Sequence, residues 1–262
     1  MSYAPASAAL PQAIHTSSQG LQQGLIDMPT FDGTIQAYYA APEQAQGCPL
    51  VLVVQEIFGI HEHIQDVCRR FAHEGYWAVA VQLYQRQGNA DDYTDIPSLI
   101  EHIVSKVPDK QVMSDLDAAV AWAVQQGADP ERVGITGFCW GGRMTWLYAA
   151  HNPACKAGVA WYGRLARGHG PEHIQNPLDV AHALYAPVLG LYGGRDAGIP
   201  VQDCELMQQR LAEGSGASQH SRIVVYPDAD HAFFADYRAS YSEKEARDAW
   251  SKTLDWFARY MG

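Results

Sequence analysis

The sequence predicts an α/β fold: a mostly parallel central sheet with an antiparallel N-terminal edge and helices on both faces. Three observations predict it. Short apolar runs of strand type alternate with longer helix-type segments through most of the 262 residues, the pattern of parallel strands joined by crossover helices. Two segments near the start instead alternate apolar and polar residues about a tight turn, the signature of an antiparallel pair. Further on, an apolar strand runs into a glycine-rich turn and then directly into a helical stretch.

The elements follow in order. Leu21–Met28 and Ile35–Ala41 flank Phe31-Asp32-Gly33 and form the opening pair. Leu50–Val54 is an unbroken apolar strand of buried type, and Ile64–Glu74 an amphipathic helix stopped by Gly75. Trp77–Val81 is the next strand, and Lys110–Gln126 a helix ending at Gly127. Arg132–Thr136 is a strand, and Cys139–Ala150 a helix stopped before Asn152-Pro153. Lys156–Trp161, Val188–Tyr192 and Arg222–Tyr226 are further short strands; Val201–Glu213 and Glu243–Tyr260 are helical. Arg164–Ala181 is weakly periodic and contains Gly, His and Pro, which suits a loop over a site. No internal repeat or interdomain linker is evident. Residues 1–20, rich in Ala, Ser, Pro and Gln, read as a flexible tail, and residues 21–262 as one domain.

Composition excludes several function classes. Lys+Arg 18 against Asp+Glu 29 gives a net charge of −11. With no basic cluster, that balance argues against nucleic acid and anionic membranes as partners. No apolar run approaches the roughly 18 residues that a membrane span needs. Five scattered cysteines, Cys48, Cys68, Cys139, Cys155 and Cys204, suggest neither a disulfide framework nor a zinc site. A basic start followed by an apolar core, as in a secretory signal, is missing. The expectation is a cytoplasmic protein, a monomer or a homodimer. His61-Glu62-His63 invites a metal reading, but alternating positions at a helix entry do not converge on one ion. Neither a metal nor a cofactor is expected.

The chemistry centres on Gly137-Phe138-Cys139-Trp140-Gly141-Gly142, the turn between strand and helix. Glycines are needed there because strand and helix backbones approach too closely for most side chains. Cys139 sits at the apex and at a helix N-terminus, where the macrodipole favours a thiolate. A cysteine nucleophile needs a base, and the base an orienting group. Asp196 follows the strand Val188–Tyr192, and His231 follows Arg222–Tyr226. In a parallel sheet both emerge at the same edge as Cys139, in the order nucleophile, acid, histidine. Asp228 and Asp230 also lie close to His231 in sequence, but only Asp196 has a strand end of its own. Glu56 follows Leu50–Val54 and faces the same edge. The backbone N–H of Ile57, paired with that of Trp140, suits an oxyanion hole. Trp140, Trp161, Tyr162, Tyr192, Phe233 and Phe234 cluster around the motif ends, where some line an apolar pocket and others fill the core.

These residues carry a resemblance. The chain resembles the dienelactone hydrolase (carboxymethylenebutenolidase-like) family of the α/β-hydrolase fold, from about Leu21 to Met261. The markers are Gln55-Glu56-Ile57-Phe58-Gly59, Leu83-Tyr84-Gln85-Arg86, the Gly137–Gly142 turn, Gly193–Asp196 and the His231 segment. The resemblance implies a Cys139–His231–Asp196 triad that hydrolyses small esters or lactones through an acyl-cysteine. It implies that Glu56 contacts the resting thiol and exchanges partners when substrate binds. It implies substrate contacts from Arg86, Tyr84, Phe58, Trp161 and Phe233. Two arginines hold the substrate carboxylate in the family. Arg86 matches the first, whereas Ala235 stands at the second position and Arg238 lies close by but displaced. The competing reading is a catalytically weak relative that binds a ligand or senses thiol oxidation. No second cysteine near Cys139 in the sequence offers itself as a resolving thiol for that role.

Overall fold

The computed structural model describes residues 13–214 and 216–262. Eight strands form one sheet: β1 (Leu21–Thr30), β2 (Gly33–Pro42), β3 (Leu50–Val54), β4 (Trp77–Val81), β5 (Val133–Phe138), β6 (Cys155–Trp161), β7 (Val188–Gly193) and β8 (Arg222–Tyr226). The spatial order is β1-β2-β4-β3-β5-β6-β7-β8. β1 pairs with β2, and β2 with β4, antiparallel; every other pairing is parallel. This is the expected mostly parallel sheet with an antiparallel N-terminal edge. The opening hairpin is longer than the alternation predicts, because pairing runs to the turn and matches Thr30 with Gly33.

Eight helices accompany the sheet among the described residues: α1 (Glu62–His73), α2 (Ile96–His102), α3 (Asp109–Gln125), α4 (Trp140–His151), α5 (Pro177–Val180), α6 (Val201–Glu213), α7 (Ala217–His220) and α8 (Glu243–Met261). The short α2 escapes periodicity analysis. It begins at Ile96 with Pro97 in its first turn, after Asp95, whose carboxylate accepts the Ser98 N–H at 2.9 Å. β3, β4 and β5 are buried along their whole length. That is why β3 and β4 read as unbroken apolar runs rather than alternations. Each fully buried Leu or Val there contributes roughly 1.5–3 kcal/mol.

Of the expected N-terminal tail, residues 1–12 lie outside the described residues, and residues 13–20 include a segment tied down on α1. The Thr16 N–H donates to Asp66 at 2.5 Å, Arg69 donates to the Thr16 carbonyl at 3.0 Å, and His73 bonds the Ser17 carbonyl at 2.7 Å. Buried polar groups of α1 supply partners that composition alone does not reveal.

The parallel strands all point their carboxyl ends to one edge. β3, β5, β6, β7 and β8 deliver Glu56, Cys139, Tyr162, Asp196 and His231 to it. Ligands bind at this edge in open α/β sheets.

Candidate active site

Cys139 occupies the sharp turn between β5 and α4, with φ 54° and ψ −112°. The Cys139 N–H donates to the Trp161 carbonyl at 3.0 Å, which fixes the turn against β6. A Cβ on Gly141 would lie 2.4 Å from the Val54 carbonyl oxygen, so α4 crosses the end of β3 in backbone contact. Three non-glycine residues among those described have positive φ: Cys139, Tyr162 and Ala232. All three flank the site. Such backbone costs of order 1–3 kcal/mol each and persists where the surrounding structure enforces it.

The structure brings Cys139, His231 and Asp196 together. Cys139 Sγ lies 3.3 Å from His231 Nε2, and His231 Nδ1 lies 2.6 Å from Asp196 Oδ2. The other Asp196 oxygen accepts the Gly198 N–H at 2.8 Å, which holds the carboxylate in place. Burial alone would lower the pKa of His231. The Cys139 sulfur and the Asp196 carboxylate outweigh it and favour the imidazolium. Asp228 is exposed and pairs instead with Arg195 at 2.5 Å. Neither the Ile57 nor the Trp140 N–H has a protein acceptor among the described residues.

Glu56 is buried, 1% exposed. One carboxylate oxygen accepts from the Tyr237 hydroxyl at 2.5 Å and lies 3.5 Å from His61 Nε2; the other has no partner among the described residues. Burial would raise its pKa, but His61, Arg238 and His63 hold it down at about 2. The Cys139 sulfur makes its hydrogen bond to His231, whereas the contact implied by the resemblance was to Glu56. Tyr237, which the sequence reading missed, takes the carboxylate. Its motif neighbours gave no signal, because its role depends on a residue 181 positions away.

A cavity of about 300 Å³ opens beside the thiol. Ile57, Phe58, Ile96 and Ile100 give it apolar walls, and Arg164 and Arg238 give it positive charge. His169 also lines it. Of the five side chains expected to contact substrate, Phe58 lines this cavity and the other four do not. Trp161 and Phe233 are fully buried in the aromatic core, 6.1 Å apart between centroids. Tyr84 is buried against Trp140 at 4.9 Å. Arg86 is engaged elsewhere: it binds Asp115 at 2.7 and 3.0 Å and Asp32 at 2.5 and 2.8 Å. Asp115 is completely buried and needs that cation. Ala235, at the position where the resemblance implies a second arginine, is buried, and Arg238 reaches the cavity with its guanidinium 5.8 Å from the Phe58 ring centroid. Arg164 and His169 fall in the segment read as a loop over the site, where weak periodicity hides side-chain direction.

Acid weakens this arrangement. Burial first, then Arg164 and other nearby cations, push the His169 pKa down to about 3. Below about pH 6.5 the unfolded chain takes up a proton at this residue that the folded chain refuses until about pH 3. Glu56 adds the same sense of change between about pH 4.5 and 2. Stability against urea should therefore fall between pH 7 and pH 4, roughly 3 kcal/mol of it from His169. In His169→Phe that part of the loss disappears. An equal loss in both proteins would contradict the assignment.

No helix among the described residues is long and apolar enough to cross a membrane. Nor does any group of three or more His, Cys, Asp or Glu among them suit a metal ion. Comparison with known proteins adds the family. The model of the "Dienelactone hydrolase family" matches residues 35–261. A Salmonella typhimurium protein named "Putative carboxymethylenebutenolidase" is 52% identical over 99% of this chain and 96% of its own length. A Methylorubrum extorquens protein of the same name is 56% identical over 94% of this chain and 84% of its own. The crystal structure of a "Putative Dienelactone Hydrolase" from Klebsiella pneumoniae superposes with a TM-score of 0.88 at 54% identity, covering 92% of this chain and 99% of that one. With the sheet order, the strand-end residues and these matches in agreement, the chain belongs to the dienelactone hydrolase family and is a hydrolase of the α/β-hydrolase fold.

Proposed function

We propose that this hydrolase cleaves small esters or lactones through an acyl-cysteine intermediate on Cys139. The observation that carries the reading is the continuous chain from Cys139 Sγ through His231 to Asp196 at the wall of the cavity. His231 takes the thiol proton, and Asp196 stabilises the resulting imidazolium and fixes its orientation. The thiolate attacks the substrate carbonyl, and the oxyanion takes the free N–H groups of Ile57 and Trp140. Collapse expels the alcohol oxygen, which receives the proton from His231; a lactone opens at this step. His231 then removes a proton from water, which attacks the thioester and releases the acid and the thiol. Intact mass and peptide mapping after rapid quenching test it: p-nitrophenyl acetate should leave one acetyl group, on the Cys139 peptide. A labelled peptide elsewhere, with Cys139 unmodified during turnover, would refute the intermediate.

The names of the relatives point to lactones, and the cavity supports substrates that also carry an anionic group. Arg164 and Arg238 line it, and among the described residues neither makes an ion pair within 4 Å; Glu56 acts on Arg238 from beyond that distance. Arg238→Ala should lower kcat/KM for p-nitrophenyl hemisuccinate about 10- to 100-fold more than for p-nitrophenyl acetate, the effect of one charge-assisted hydrogen bond. Arg86→Ala should leave that ratio alone and instead destabilise the fold, by about 3 kcal/mol, by stranding Asp115. A carboxylate-selective loss confined to Arg86→Ala would reverse the two assignments.

A further inference from the structure

The wall between β6 and α5 brings a second imidazole into the cavity. His169 lines the same space as Cys139, His231 and Arg164. Its backbone is firmly held. The His169 N–H donates to His173 Nδ1 at 2.7 Å, and the two rings meet edge-on, 5.9 Å apart. A Cβ on Gly168 would lie 2.2 Å from His173 Cβ, so the turn closes only with glycine there. Arg143, fully buried in α4, grips Asp109 with bonds of 2.6 and 2.8 Å and also donates to the Gln175 carbonyl. The wall is thus braced against the helix that begins at the nucleophile.

Within that bracing, the His169 ring makes no hydrogen bond to protein among the described residues. Its Nδ1 is buried and unpartnered, and Nε2, also without a protein partner among the described residues, is the ring nitrogen that remains accessible. Leaving such a group unpaired is costly, and unsatisfied buried atoms call for an explanation. Burial and the surrounding cations keep the ring uncharged. A neutral imidazole offers one donor and one acceptor.

We propose that His169 is a specificity-determining residue that donates a hydrogen bond to a substrate oxygen outside the scissile ester group. The inference rests on the cysteine-hydrolase reading above. Arg164 and Arg238 supply charge to the cavity, whereas His169 supplies a directional, uncharged bond that favours oxygenated substrates over hydrocarbon analogues of the same shape. It takes no part in proton transfer.

Isosteric substrate pairs test this. p-Nitrophenyl methoxyacetate differs from p-nitrophenyl butyrate, and 1,4-dioxan-2-one from δ-valerolactone, by oxygen in place of a methylene. The kcat/KM ratio within a pair, compared between proteins, cancels intrinsic reactivity. His169→Phe should lower the oxygen-over-methylene ratio about 3- to 10-fold for at least one pair. His169→Gln, which keeps a donor, should recover most of it. Iodoacetamide alkylation of Cys139 should proceed at the wild-type rate in both variants, which a collapsed wall would not allow. Unchanged ratios in both pairs, or a uniform fall in all four substrates together with alkylation, would overturn the proposal. Cys139→Ala, run alongside, separates the two failures. If it is inactive while the His169→Phe ratios hold, only this inference falls; if it retains activity, the reading beneath falls.

Discussion

Cys139→Ala is expected to lower kcat/KM on p-nitrophenyl acetate by at least about 10³-fold, a loss of roughly 4 kcal/mol of transition-state stabilisation. The size follows from the role of the sulfur. His231 bonds it directly, and no other cysteine has comparable access to the histidine: Cys48 precedes β3 and lies at the opposite edge of the sheet, Cys68 is fully buried, and burial pushes Cys155 and Cys204 up to about 12. What survives should be the weak catalysis of the cavity and the oxyanion donors alone. The fold should be spared, because the variant removes one sulfur and leaves the backbone of the turn unchanged. Steady-state kinetics and a thermal melt check both halves. Activity within tenfold of wild type would exclude an acyl-cysteine.

Gly141→Ala should be among the most damaging small substitutions in the site. Its Cβ would lie 2.4 Å from the Val54 carbonyl oxygen and 2.5 Å from that of Gln55. Both are backbone atoms, so no rotamer change relieves the collision. Either α4 lifts or the end of β3 moves, and Glu56 and Ile57 move with it. We expect a stability loss of about 3 kcal/mol, the upper end for overpacking, and a fall in kcat of at least about 10²-fold as one oxyanion donor shifts. Urea unfolding and kcat measure the two effects. Gly24→Ala, in β1 with nothing near its added Cβ, is the matched control and should stay within about 0.5 kcal/mol. Equal behaviour of the two variants would show that the contact at β3 is not tight.

Much of this architecture was legible because its signals are local. Leu50–Val54 and Trp77–Val81 are buried on both faces, and composition alone marks such strands. Cys139, Asp196 and His231 each follow a strand within a few residues, so chain order and parallel pairing predict a shared edge. The arginines were not legible in this way. Arg86 is turned from the cavity by Asp32 and Asp115, 54 and 29 positions distant, and nothing in Leu83-Tyr84-Gln85-Arg86 reports them. Arg238 gains its place because the turn after Ala232 redirects the chain. Ile96 and Ile100 sit on a seven-residue helix too short for a periodic pattern, yet they form part of the pocket wall. Tyr237 was invisible for the same reason as the arginines, since its meaning lies in a contact with Glu56 across the sheet.

The sheet order has a consequence for how activity is lost. Cys139 rises from β5, which has strands on both sides, while His231 follows β8, an outermost strand with one neighbour and a half-exposed face. Cys139 is anchored at the centre of the sheet and His231 at the margin. Margins open first when a protein is warmed. The segment carrying His231 should therefore loosen on gentle heating before Cys139 is unseated, so that activity falls ahead of global unfolding and returns on cooling.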